Sequence, residues 1–179
     1  MVVKKIVKLC KDRGKMNVYK LGNMQWIGIG AALYLLPDLP DMTPAVIAEL
    51  YGINQAALNK METGSYDSPD KLPPEIINDS FSGDEHITRI MDYFWMETRL
   101  RVFDTGWGVR FLDVNLLIPF DDEPGIEIMF RKTPVGEYFI VKDGLYLVGV
   151  IMPCVCDDFE IAINDAVNAL RNNYRRETE

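Results

Sequence analysis

Four side chains in this 179-residue chain could serve as nucleophile, base or soft metal ligand: Cys10, Cys154, Cys156 and the single imidazole, His86. Structural zinc takes four ligands, usually as Cys or Cys/His pairs with two or more residues between them. Cys154-Val-Cys156 leaves one residue between its thiols, and only Cys10 and His86 remain to complete a set. Small packing thiols at the end of an apolar run are the preferred reading, so no metal site is expected. A Cys–His catalytic pair needs the two groups in contact. Spacing along the chain does not place them so, and His86 is read as a surface or boundary side chain.

Gly28-Ile-Gly30-Ala-Ala-Leu33 begins like a dinucleotide fingerprint. Leu33 takes the third glycine position, and strand-like sequence continues where the phosphate-binding helix should start. There is no Gly-Lys-Ser/Thr phosphate loop, and no cofactor is expected. The acidic clusters Asp121-Asp-Glu123 and Asp157-Asp158 lack the calcium-loop pattern and sit where a turn or helix cap is expected. Tyr93, Phe94, Trp95, Phe103, Trp107 and Phe111 interleave with Arg99, Arg101 and Arg110. Base stacking beside arginine uses such a pattern. A strand pair with one apolar and one charged face also produces it, and that reading is preferred. Trp107, between two glycines at a hairpin tip, is the exception and a candidate anchor for a protein interface.

The elements that would carry these residues follow from periodicity and punctuation. Val3, Ile6, Val7 and Cys10 recur at helical spacing with lysines between them, which predicts an amphipathic helix with a basic outer face ending near Gly14. Gly22-Asn23 separates two extended runs, a hairpin signal. The second run, Met24 to Leu36, is read as a buried strand or strand pair, with Gly28 and Gly30 marking a bulge, bend or close approach. Its apolar part is too short to cross a bilayer, which takes about 20 residues. Thr43-Pro44 reads as N-cap and first turn of a helix closed by Gly52, and Asn54 as cap of a further short helix through Leu58 and Met61. Asp84 is expected to cap a helix bearing Ile87, Ile90, Met91 and Phe94, with His86 in it. A hairpin follows across Asp104-Thr-Gly-Trp-Gly108, then a helical turn at 114–118, a turn at 121–125, and strands at 126–130, 138–141 and 145–152. Lys142-Asp-Gly144 marks the last tight turn. A final helix is expected from Asp157 or Asp158 to Arg176, with Arg171, Arg175 and Arg176 complementing its dipole.

The fold expectation is α+β, mainly antiparallel sheet with flanking N-terminal, middle and C-terminal helices. A faint echo between Trp26-Ile-Gly-Ile and Leu147-Val-Gly-Val, each followed by a proline and a helix, suggests two similar small αβ lobes. They would span 1–62 and 85–179, joined by an acidic Pro/Ser/Gly-rich connection over 63–84 in which only Ile76 and Ile77 seek a core.

Net charge is −8, with 19 Lys and Arg against 27 Asp and Glu. A general phosphate-backbone binder shows a basic excess, so direct nucleic-acid binding is not expected. The charge is polarised. Residues 1–20 hold seven Lys or Arg and one Asp, whereas residues 38–85 hold ten acids and two lysines. Solvation explains most such surfaces. The sharper reading is a docking surface on the acidic segment, through Asp67, Asp70, Glu75 and Asp79. Three cysteines without framework spacing fit a reducing compartment. The lysine-interrupted N-terminus lacks a signal-peptide core, so a cytoplasmic location is expected, with no membrane partner.

Trp26-Ile-Gly-Ile-Gly-Ala-Ala-Leu-Tyr34 and Gly144-Leu-Tyr-Leu-Val-Gly-Val-Ile-Met-Pro153 resemble uncharacterised proteins encoded by phages and prophages of Gram-positive bacteria. The resemblance touches both halves through apolar strands and brings no active site. A short stretch at Met152-Pro153 is similar to DNA sliding clamps, and no residue role is carried across.

The expectation is a non-enzymatic protein-binding or regulatory protein, and the phage resemblance implies action on a protein of the nucleic-acid machinery. Its candidate interface residues are Trp107, Asp67, Asp70, Glu75 and Asp79. One alternative is a DNA-processing accessory, a clamp-like homo-oligomer with a basic inner surface from Lys4, Lys8 and Lys11. Another is a small metal- or thiol-dependent enzyme.

Overall fold

The computed structural model describes residues 3–36, 41–67, 74–78, 83–95 and 97–156, with Ile163, Asn164 and Val167 beyond them. The architecture is α+β. An eight-stranded mixed sheet has the order β4-β1-β2-β3-β11-β10-β9-β5, and a three-stranded antiparallel sheet has the order β6-β7-β8. The strands are β1 (Lys15–Leu21), β2 (Met24–Gly28), β3 (Ala32–Leu36), β4 (Glu62–Tyr66), β5 (Asp84–His86), β6 (Thr88–Trp95), β7 (Thr98–Thr105), β8 (Gly108–Asp113), β9 (Ile126–Thr133), β10 (Gly136–Asp143) and β11 (Tyr146–Ile151). The helices are α1 (Val3–Arg13), α2 (Pro44–Leu50), α3 (Gln55–Leu58), α4 (Pro74–Ile77) and a 3-10 helix at Val114–Phe120.

Local chemistry explains most boundaries. Helix α1 buries Ile6, Val7, Leu9 and Cys10 and turns its lysines outward. The chain leaves it through Gly14, whose φ of 65° suits glycine. The Thr43 hydroxyl accepts from the Val46 N–H, and Pro44 opens α2, as its sequence predicts. Asn54 caps α3, which ends at Leu58, short of Met61. Asp113 caps the 3-10 helix through the Asn115 N–H, and that helix continues past the expected 114–118 through Pro119.

The long run from Met24 is a strand pair. At Gly30, with φ of 90°, the chain reverses, and β2 and β3 lie antiparallel. Glycine-rich strand, turn and strand follow one another, with no helix after the glycines to bind pyrophosphate.

Two expectations are corrected. Residues 84–95 are strands, not a helix capped by Asp84, so His86 lies in β5 and Phe94 in β6. The apolar residues at 87, 90, 91 and 94 have helical spacing only because a bulge between Arg89 and Met91 disrupts the alternation of β6. Part of the 63–84 connection is built into the body. Glu62–Tyr66 adds to β1 as a parallel edge strand, and Pro74–Ile77 is a helical turn that buries Ile76 and Ile77. An edge strand needs only backbone partners, so β4 carries no apolar alternation to betray it.

The large sheet buries both faces. One carries Met16, Val18, Ile27, Tyr34, Phe130, Phe139, Val141 and Ile151 beneath α1, α2, the 3-10 helix and Phe103 and Leu112 of the small sheet. The other carries Trp26, Met129, Ile140, Leu147 and Val150 beneath Ile76 and Ile77. Strands from residues 1–62 and from 85–179 meet at the antiparallel β3–β11 pair, where Gly149 faces Tyr34. The strand order is symmetric about that pair: a three-stranded meander and one added edge strand on each side. The sequence echo aligns β2 with β11, whereas the symmetry of the sheet relates β3 to β11.

Candidate functional site

The small sheet, here called the arm, packs on the body through Phe103 and Leu112. Its β7 and β8 bury Leu100, Val102, Val109 and Phe111 against Cys156, with Ile163 and Val167 packed alongside. Strand β6 is different. Among the described residues it pairs only with β7, leaving its outer edge without a strand. Ile90, Met91, Phe94 and Trp95 are all exposed along it, Phe94 to 68%. Large apolar side chains exposed elsewhere, such as Leu50 and Leu145, lie at a helix end and at the β10–β11 turn. Exposed apolar side chains on a strand with one edge open among the described residues are a feature of protein contacts.

The arm carries equal numbers of basic and acidic residues, but three of its arginines gather on one carboxylate. The Asp92 carboxylate is surrounded by Arg89 at 3.0 Å, Arg101 at 3.2 Å and Arg99, whose Nε donates at 2.9 Å. Burial alone would raise the Asp92 pKa. Hydrogen bonds from Arg99 and Arg101, with the charges of Arg101 and Arg89, outweigh it and hold the carboxyl below its ordinary range. Three guanidiniums on one carboxylate leave excess positive charge beside Phe94, which stands opposite Arg99 in the β6–β7 register. The arginine and aromatic alternation thus divides: Phe103 and Phe111 are core, while Phe94 and Trp95 are surface.

Trp107 sits at the β7–β8 tip, 54% exposed. Its indole N–H donates to Glu85 Oε1 at 3.0 Å, and the Lys132 ammonium lies 4.5 Å from its ring centroid. Lys132 and Arg110 also grip Glu137, at 3.1 and 2.7 Å. The hydrogen bond from Arg110 is the main reason that carboxyl is held below its usual range. Trp107 therefore fastens the small sheet to β5 and β9, and part of its binding capacity is used within the chain.

The acidic candidates do not form one described cluster. Asp67 follows β4 and lines a groove with Lys20 and Asp41, which pair at 2.5 Å. Glu75 is exposed on α4, and its carbonyl is held by Arg131. Asp70 and Asp79 lie outside the described residues, as do Asp157, Asp158 and the arginines expected to end the last helix. Lys4, Lys5, Lys8 and Lys11 line a groove with Val7 and Tyr51, and Lys5 pairs with Asp122 at 2.6 Å.

His86 pairs with Glu127 at 2.8 Å on the edge of the large sheet. Cys154 bridges Phe111 of β8 through backbone, and its thiol pKa is raised by burial and then by the nearby Asp113 charge. Burial pushes Cys10 up to about 12. Thiols shifted this way hold little thiolate at neutral pH and are poor nucleophiles. Among the described residues no three His, Cys, Asp or Glu side chains gather as a metal site.

Sequence reasoning missed Arg131, which is fully buried. Its Nε and Nη2 donate to the Asp84 carboxylate at 2.5 and 2.8 Å. Nη1 donates to the Glu75 and Ile76 carbonyls at 3.0 and 2.8 Å, and Nη2 to that of Asn78 at 2.8 Å. Lys142 adds a second cation to Asp84 at 2.6 Å. This hub ties α4 and β5 to the second face of the large sheet. The arm residues were missed because their spacing mimicked a helix. The signal that identifies them is the density of Ile, Tyr, Phe and Trp, which favour strands, directly before a turn.

No helix among the described residues is long and apolar enough to cross a membrane. Compared with protein-family models, curated proteins and solved structures, the chain matches none.

Proposed function

We propose that this is a non-enzymatic binding protein that acts on another protein and engages it through the β6–β7 arm. The observation that carries this reading is the strip of Ile90, Met91, Phe94 and Trp95 on a strand with no described outer neighbour. Such a strand takes partners by strand addition, with backbone hydrogen bonds for affinity and side chains for selectivity. The excess guanidinium charge around Asp92 selects a segment that places Asp or Glu beside apolar residues. The arm supports this role better than the acidic segment does. The phage resemblance directs the search for the partner to proteins of the nucleic-acid machinery.

The test places a photoreactive phenylalanine analogue at Phe94 of the full chain in its native host, with Leu50 as control. A discrete adduct with another protein at Phe94, absent at Leu50 and lost when Trp95→Ser is added, is the expected result. Equal labelling at both positions sinks the proposal.

A further inference from the structure

We infer that the lysine-lined groove on α1 binds single-stranded nucleic acid, with Lys4, Lys8 and Lys11 on successive phosphates and Tyr51 against a base. The site is separate from the arm and stands or falls independently of it.

Helical geometry sets the three lysines in a row. Positions four and seven beyond Lys4 return to its side of α1, and the row runs about 10 Å along the axis. Burial of Ile6, Val7, Leu9 and Cys10 fixes which side of the helix meets the body, and Lys4, Lys8 and Lys11 are left exposed. Together with Lys5, Val7 and Tyr51, the residue that closes α2, they line a groove of about 430 Å³.

The charge of α1 is arranged against the stability of the helix. Its first turn carries no acid, and Lys4 and Lys5 stand at the positive end of the dipole. Lys4 and Lys8 are spaced i, i+4, and Lys8 and Lys11 i, i+3, where like charges destabilise a helix. Lys5, Lys15, Lys20, Lys132 and Lys142 each pair with a carboxylate. Among the described residues Lys4, Lys8, Lys11 and Lys60 make no ion pair, and three of those four stand in this groove. Local rules broken together in this way mark a functional site. An anion in the groove turns each repulsion into an attraction.

The row and the ring choose the anion. Lysine holds phosphate as a point charge, and three in line match a run of phosphates better than a single one. Tyr51 adds the aromatic surface on which an unpaired base stacks. An acidic peptide would use the charge and leave the ring idle. The net charge of −8 argues against nucleic acid coating the whole surface, but charges beyond about 8 Å are screened at physiological ionic strength. Asp122, beside the groove, is already held by Lys5.

Fluorescence anisotropy of a labelled oligothymidylate with the full chain tests this. Saturable binding is expected at low salt, with log affinity falling against log salt at a slope of about −2, or about −0.7 for each of three phosphates. Lys8→Gln combined with Lys11→Gln should weaken binding by about tenfold or more and bring the slope to about −0.7. Tyr51→Leu should weaken it by about fivefold or more with the slope unchanged. Tyr51→Phe, which keeps the ring, should bind as the parent does. Lys60→Gln, an exposed lysine outside the groove, should change neither affinity nor slope. Circular dichroism checks that each variant is folded. No binding at low salt, or affinity indifferent to the loss of Lys8 and Lys11, overturns the inference. Full displacement of the oligonucleotide by a polyglutamate peptide, with Tyr51→Leu binding like the parent, also overturns it and assigns the groove to an acidic protein segment.

Discussion

Asp92 and Arg131 show how differently two ion clusters can act in one chain. Asp92 is a largely covered hub on the arm, and its pKa is depressed in the folded protein. A carboxyl with a lowered folded pKa stabilises the fold above its unfolded pKa, and that contribution is lost as pH falls through the folded value. The arm is therefore expected to loosen below the ordinary carboxylate range, read as faster amide exchange in Thr88–Thr105. Asp92→Asn should remove that part of the pH dependence; an unchanged profile would refute the role given to the carboxylate. Arg131 has no exposed surface and satisfies a buried carboxylate and three carbonyls. Arg131→Met should cost about 3–5 kcal/mol, because it strands Asp84 and those carbonyls in the interior. Urea unfolding measures this, and a loss below about 1 kcal/mol would show that Lys142 and solvent replace the guanidinium.

The end of the 3-10 helix lies close against β11. A Cβ added to Gly149 would stand 2.6 Å from Phe120 Cζ and 3.3 Å from the Val141 side chain. Phe120 in turn packs on the Tyr34 ring at 5.7 Å between centroids, and the Tyr34 hydroxyl donates to the Leu116 carbonyl. Glycine at 149 thus lets an aromatic ring lie on the middle of the sheet. Gly149→Ala should destabilise by about 1–3 kcal/mol through overpacking, checked by the shift in thermal midpoint. A neutral result would mean that the 3-10 helix shifts without loss. Punctuation foretold the neighbouring elements well. Gly22-Asn23, Thr43-Pro44 and Asp143-Gly144 each impose a backbone geometry that few alternatives share. Strands β4 and β5 escaped such reading because polar edge strands are defined by the backbone they join, β1 and β9.

For the whole molecule, the central β3–β11 pair joins the first and last thirds of the described chain, and one core cluster draws on residues from Ile6 to Ile151. Contacts shared so widely make unfolding cooperative. Tryptophan fluorescence and far-ultraviolet circular dichroism should therefore report a single coincident urea transition. Two separated transitions would show that the meanders on either side of β3–β11 are stable alone. Within that transition the β6 edge should exchange its amides fastest and β3 and β11 slowest, because local stability follows burial.

The amino-acid sequence alone determined the α+β composition, helix α1 with its basic face, the principal hairpins and the cap of α2, because periodicity and special residues act over a few neighbours. Tertiary structure decided the rest. It opened Ile90, Met91, Phe94 and Trp95 to solvent, buried Arg131 against Asp84 across 47 positions of chain, and set His86 beside Glu127. These outcomes depend on which strand finds which neighbour. That choice is made by long-range pairing and burial, which no local pattern of residues encodes.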